Sequence, residues 1–281
     1  MSRSPTTTFP RMSDDVVLYE VREPGVALLT LNRPDRLNAW NQELGDRYFA
    51  LLDQAAADPA VKVIVVTGAG RGFCAGADMN TLQQLGASGG GSGGSGAEAA
   101  AGTRPQYATT LVPKPVIAAI NGPCAGMGLS QALMCDMRFA AAGAKLTTSF
   151  GQRGLIAEWG LAWVLPRLMG TARAFDLLFS GRVVLAEEAV ELGLVNAVVP
   201  ADQLLDHVLA YATNLALTVS PTSMAVMKRQ VYADWTKDLI TAHDDAVQLM
   251  KQSMKRPDFV EGVSSYLEKR PPNFAPIDPN A

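Results

Sequence analysis

The stretch VKVIVVTG (61–68) constrains this chain more than any other: it is almost wholly apolar and β-branched, with no polar alternation. Such a strand has no face to offer to water, so it belongs inside a sheet covered on both sides. VIAAI (116–120) repeats the pattern. Between and after these runs the periodicity changes. Residues 41–57 carry Leu44, Tyr48, Leu51, Leu52 and Ala55 at helical spacing, and GLSQALMCD (128–136) reads as a second helix. VVLYEV (16–21) and VALLTL (26–31) precede them as short strands, separated by the turn residues Glu23, Pro24 and Gly25. Strands alternating with helices imply an α/β fold.

Beyond about residue 201 the pattern turns helical, with Pro200, Pro221 and Pro257 marking breaks. Three parts follow: a flexible tail over 1–14, a core over 15–205 and a C-terminal helical region over 206–281. Within the core, GASGGGSGGSGAEAAAG (86–102) is flexible by composition. A tolerated surface insertion is favoured over a flap covering a pocket, since long surface loops cost little.

Composition removes several functions. The net charge is −3 and no block of Lys or Arg occurs, which argues against nucleic acid and anionic membranes as partners. No apolar run approaches the roughly 18 residues of a membrane span. Cys74, Cys124 and Cys135 are odd in number and unframed, which suits free thiols in a reducing, cytoplasmic setting. TGAGRGF (67–73) fails as a dinucleotide fingerprint because Phe73 stands where the third glycine belongs. Ser130 lacks the second glycine of a nucleophile elbow. His207 and His243 both lie in the helical region, so a Ser-His or Cys-His relay is not expected, nor is a metal cluster. The remaining chemistry needs no cofactor beyond a handle carried by the substrate itself.

Three segments stand out: RGFCAGADM (71–79), AAINGPCAGMGL (118–129) and FGQRGLIAEWGLAWVLPRLMG (150–170). The first two are Gly/Ala turns after strand-like runs, where a peptide N–H ahead of a helix is a ready donor to a developing negative charge. Their wording resembles the two oxyanion-hole segments of the crotonase superfamily, the enoyl-CoA hydratase/isomerase family. RPDRLNAW (33–40) and EGVSSYLEKRPPNF (261–274) resemble the start and the last helix of the same family, so the resemblance runs from about 16 to 274.

The resemblance implies a spiral of ββα repeats with a C-terminal helical region that builds trimers or dimers of trimers. It implies an acyl-CoA substrate, with coenzyme A as part of the substrate and no separate cofactor. By motif position the thioester oxygen falls to the backbone amides of Ala75 and Met127. Contacts to substrate and coenzyme A fall to Arg36, Leu37, Asn38, Ala77, Asp78, Met79, Phe150 and Trp159, with Lys269 a phosphate partner. For Asp78 and Asp136 structural roles are preferred.

Hydratases of this family hold a water between two glutamates, and here those positions are Ser130 and Phe150. Neither is a general base. Eight residues after Phe150 comes Glu158, where family isomerases place an Asp or Glu. Leu155, Ile156, Ala157 and Trp159 flank it, and apolar surroundings raise a carboxyl pKa. Without the resemblance, Glu158 reads more simply as a cap for a helix starting near Trp159. With it, the expected reaction is double-bond isomerisation by a single-glutamate proton shuttle. The alternatives are hydration with one carboxylate, hydrolysis or dehalogenation by attack from Glu158, and non-catalytic binding of an acyl-CoA.

Overall fold

The structure, a computed structural model, describes residues 15–81, 83 and 102–277. The expectations for 1–14 and for 86–101 lie outside the described residues. The apolar runs form strands: β1 (Val17–Arg22), β2 (Val26–Leu31), β3 (Val63–Gly68) and β4 (Val116–Ile120). Farther along come β5 (Cys124–Ala125), β6 (Met137–Ala141), β7 (Lys145–Thr147), β8 (Val184–Leu185) and β9 (Ala197–Val199).

Six of these make one sheet in the order β1-β2-β3-β4-β6-β9. Only the β1–β2 pair is antiparallel, joined through the turn at Glu23-Pro24-Gly25. The other pairings are parallel. Every residue of β3 and β4 is buried, as unbroken apolar runs require. A second sheet, β5-β7-β8, is built from strands of two or three residues, too short to leave a period in the sequence.

The first helix, α1 (Gln42–Ala57), buries the expected Leu44, Tyr48, Leu51, Leu52 and Ala55. Asn41 caps it by accepting a hydrogen bond from the Leu44 amide at 3.0 Å. α2 (Met127–Leu133) stops before the expected end at 136, because Asp136 leads into β6 and its carboxylate accepts from the Val116 amide at 2.7 Å. α3 (Leu161–Met169), α4 (Thr171–Ser180) and α5 (Ala186–Glu191) complete the central part. Four helices follow: α6 (Leu204–Thr218), α7 (Pro221–Asp234), α8 (Leu239–Ser253) and α9 (Pro257–Glu268). α1 packs on β1 and β2, whereas α6 lies against β2, β3, β4 and β6.

A buried ion pair, Lys228 Nζ to Asp136 Oδ2 at 2.8 Å, fastens α7 to the core. Lys228 also donates to the carbonyls of Thr109 and Lys114. Asp136 is therefore a structural carboxylate, as its setting in the sequence suggests. No helix among the described residues is long and apolar enough to cross a membrane. The three cysteines are free and buried.

Candidate active site

Two loops are drawn together by short stretches of main-chain pairing. Cys74 and Cys124 face each other in a parallel bridge, with the Ala125 amide donating to the Cys74 carbonyl at 3.0 Å. Gly128, in the first turn of α2, presses on the same segment. A Cβ there would lie 2.3 Å from the Cys74 carbonyl oxygen, so only glycine allows this approach. The result is a cavity of about 330 Å³ between the two loops and the segment preceding α3.

Of the expected residues, Arg36, Ala75, Ala77, Asp78, Met79, Met127, Phe150, Glu158 and Trp159 all line this cavity. Leu37, Asn38 and Lys269 do not. Asn38 is fully buried, and its side chain accepts from the Arg33 amide while donating to the carbonyls of Ala69 and Gly72. It holds the loop in shape and has nothing left for a ligand. Lys269 ends α9 in a left-handed conformation on the surface, away from the cavity of its own chain.

The main-chain donors differ from the expected pair. The Ala75 amide donates to the Leu37 carbonyl at 3.0 Å, so it is already engaged. Ala77 sits in a parallel bridge with Trp40. That bridge uses the neighbours: Trp40 N–H donates to the Gly76 carbonyl at 2.7 Å, and Asp78 N–H to the Trp40 carbonyl at 2.8 Å. Successive amides of an extended segment point to opposite sides, so the Ala77 N–H is turned away from Trp40. Gly76, at φ +108, breaks the extended run and lets the amides of Ala75 and Ala77 serve different partners. On this loop the Ala75 amide is engaged and the Ala77 amide faces away from Trp40, a difference that spacing alone does not reveal.

The other expected residue, Met127, lies on the facing loop. Met127 is the first residue of α2, follows Gly126 and has no side-chain cap above it. The first amides of a helix have no intrahelical acceptor and carry the positive end of its dipole. Ser130, one turn later, is buried and gives its hydroxyl to the Gly126 carbonyl at 3.1 Å. Phe150 forms apolar wall.

Two carboxylates line the cavity. Asp78 is held by Arg33 Nη2 at 2.8 Å and by the Asn80 amide at 3.0 Å. Burial alone would raise its pKa, but these bonds and the charges of Arg33 and Arg36 hold it below the usual range. Glu158 is half-buried and forms no ion pair among the described residues, and burial pushes its carboxyl above the ordinary 4.5. It is not a helix cap: α3 begins at Leu161, behind Gly160, with no side-chain cap. The apolar setting inferred from its neighbours is only partly realised, since Ile156 is 78% exposed while Leu155 and Trp159 line the cavity. Sequence reasoning missed Arg153, which also lines the cavity and donates to the Ser149 carbonyl at 2.6 Å. Its place five residues before Glu158, on the same connecting segment, was the available signal.

A larger apolar cavity of about 510 Å³ lies under α7, but its ionic groups are engaged: Asp136 pairs with Lys228, and Arg138 donates to the carbonyls of Leu194 and Cys135. The smaller one therefore holds the unengaged donors and the unpaired carboxyl.

Comparison with known proteins bears on the family. The family description "Enoyl-CoA hydratase/isomerase" matches residues 21–276. The 1,2-epoxyphenylacetyl-CoA isomerase of Escherichia coli K12 is 37% identical over 253 residues, covering 90% of this chain and 95% of that protein. A probable enoyl-CoA hydratase, echA12, of Mycobacterium leprae is 36% identical, covering 93% and 90% respectively. Among solved structures, the enoyl-CoA hydratase EchA12_1 from Mycobacterium marinum is 53% identical, covers 79% of this chain and 100% of that one, and has a TM-score of 0.67. A probable enoyl-CoA hydratase/isomerase from Mycobacterium abscessus, 33% identical and covering 92% and 98%, superposes with a TM-score of 0.82. With the family description spanning nearly the whole chain over a crotonase fold, this protein belongs to the enoyl-CoA hydratase/isomerase family of the crotonase superfamily.

Proposed function

We propose that the protein isomerises the double bond of an acyl-CoA thioester, with Glu158 as the proton carrier. The observation that carries this reading is that Glu158 is the one cavity-lining carboxylate, among the described residues, not held in an ion pair. In the proposed cycle the Glu158 carboxylate takes a proton from C2 of a 3-enoyl thioester. The C–H electron pair moves into a dienolate whose oxygen is bound by the amides of Ala77 and Met127. Protonated Glu158 then returns the proton to C4, giving the conjugated 2-enoyl ester with no net gain of atoms. A carboxyl raised above 4.5 by burial suits both halves of this exchange better than an ordinary one. Arg36 is free to meet a phosphate of coenzyme A at the cavity edge.

Hydration is disfavoured because Ser130 directs its hydroxyl to Gly126 and Phe150 has no proton acceptor. The decisive assay compares wild type and Glu158→Gln on matched 2-enoyl- and 3-enoyl-CoA esters. Wild type is expected to convert the 3-enoyl ester without taking up water, and the variant to lose at least ~10²-fold in turnover. Fast hydration without double-bond migration would replace this reading with a single-carboxylate hydratase. Release of free coenzyme A would point to attack by Glu158, and binding without turnover to a non-catalytic acyl-CoA binder.

A further inference from the structure

Trp159 carries two features that its neighbours do not explain. Its φ is +56°, a left-handed conformation that a bulky aromatic residue adopts only when its surroundings impose it. Gly160, next along, is also left-handed, at φ +81°. Together the two residues turn the chain sharply into α3, and this turn brings both Glu158 and Trp159 to the cavity wall. The second feature is the indole N–H, which is buried yet donates to no acceptor. Buried donors are nearly always paired, so an unmet one beside a reactive group calls for a functional reason.

We propose that Trp159 is a positioning residue for Glu158: its indole N–H holds the ionised carboxylate in the orientation that receives the substrate's proton. The proposal rests on the assignment of Glu158 as the base. The indole N–H and the Glu158 carboxyl belong to adjacent residues on one cavity wall, and the indole favours the charged carboxylate without reaching normal hydrogen-bond geometry. A small rotation of the carboxylate completes the bond. A bond to the anion is stronger than one to the neutral acid, so it steadies the base before proton uptake and loosens after it. Among the described residues no other group does this. Arg36 and Arg153 face the same cavity but do not pair with Glu158, and Asp78 is neutralised by Arg33. Burial opposes the charge on Glu158, and among the described residues the indole N–H supports it.

The test is Trp159→Phe, which keeps an aromatic ring and removes the donor. The acid limb of the kcat–pH profile is expected to move to higher pH. Turnover at its plateau should fall about tenfold with KM unchanged, the loss of one hydrogen bond to a charged group. Titration of Glu158 by carbon NMR of glutamate-labelled protein, assigned by its absence in Glu158→Gln, should move in the same direction without reference to any substrate. A Glu158 titration and acid limb left at wild-type positions would overturn the proposal. If Trp159→Phe does not fold, 3-benzothienylalanine at position 159 keeps the bicyclic shape and exchanges only the N–H for sulfur. The two readings fail separately. Full turnover in Glu158→Gln removes the base and this proposal with it. Loss of turnover there, together with an unmoved titration in the Trp159 variant, removes this proposal alone.

Discussion

At the scale of single residues, the site depends on which polar groups are left without partners. Asp78, Asn38, Ser130 and the Ala75 amide all look functional by type or motif, and each is bound within the protein. Ala77, Met127 and Glu158 are the groups left over. The pH dependence follows from the raised Glu158 carboxyl: the base works only when ionised, so turnover should climb with pH through an inflection above the ordinary 4.5. A kcat profile already flat at pH 4.5 would contradict the burial argument. The Met127 amide can be tested without harming the helix, because proline is tolerated at the first helical position. Met127→Pro should fold and lose about 10²–10³ in turnover. Met127→Gly keeps the amide, and its activity should survive.

At the scale of elements, the Ala77 and Met127 amides are set relative to one another by β5 and the start of α2 leaning on the Cys74 segment. Gly128 is where this contact is tightest. A methyl group there meets the Cys74 carbonyl oxygen first, with the Cys74 Cβ and Sγ also inside 3 Å, so the loops must separate. Gly128→Ala should lower stability by about 2 kcal/mol, an overpacking cost, read as a drop in melting temperature. The same substitution should reduce turnover, because widening the gap moves the Ala77 and Met127 amides apart. An unchanged melting temperature with full activity would show that the contact is looser than 2.3 Å implies.

At the scale of the whole molecule, the last two helices expose apolar surface that one chain does not cover. Leu239, Ile240, Tyr266 and Leu267 are each more than 70% exposed. Exposed apolar side chains are a common feature of interfaces, and the trimer implied by the sequence resemblance would set further copies of this chain against them. Sedimentation at micromolar concentration is expected to give a trimer or hexamer. Ile240→Asp with Leu267→Asp should shift it toward monomer while leaving the far-UV dichroism of the core in place. A wild-type monomer would remove the interface.

Much of the architecture was legible in the residues. β2 and β4 occupy the sequence runs VALLTL and VIAAI, and α1 keeps the five apolar positions that defined it, because a buried strand or an amphipathic helix writes its environment into its own period. Glu158 stood out too, as a carboxyl on a segment whose wording resembles a family, and it lines the cavity. Other features left no local trace. β5, β7 and β8 span two or three residues each and exist only because neighbours pair with them. The exchange of Ala75 for Ala77 turns on where Leu37 and Trp40 place their carbonyls, some forty residues away in sequence and 3.0 Å or less in space. Local chemistry decides which groups can donate or accept; only the fold decides which of them are still free to do so.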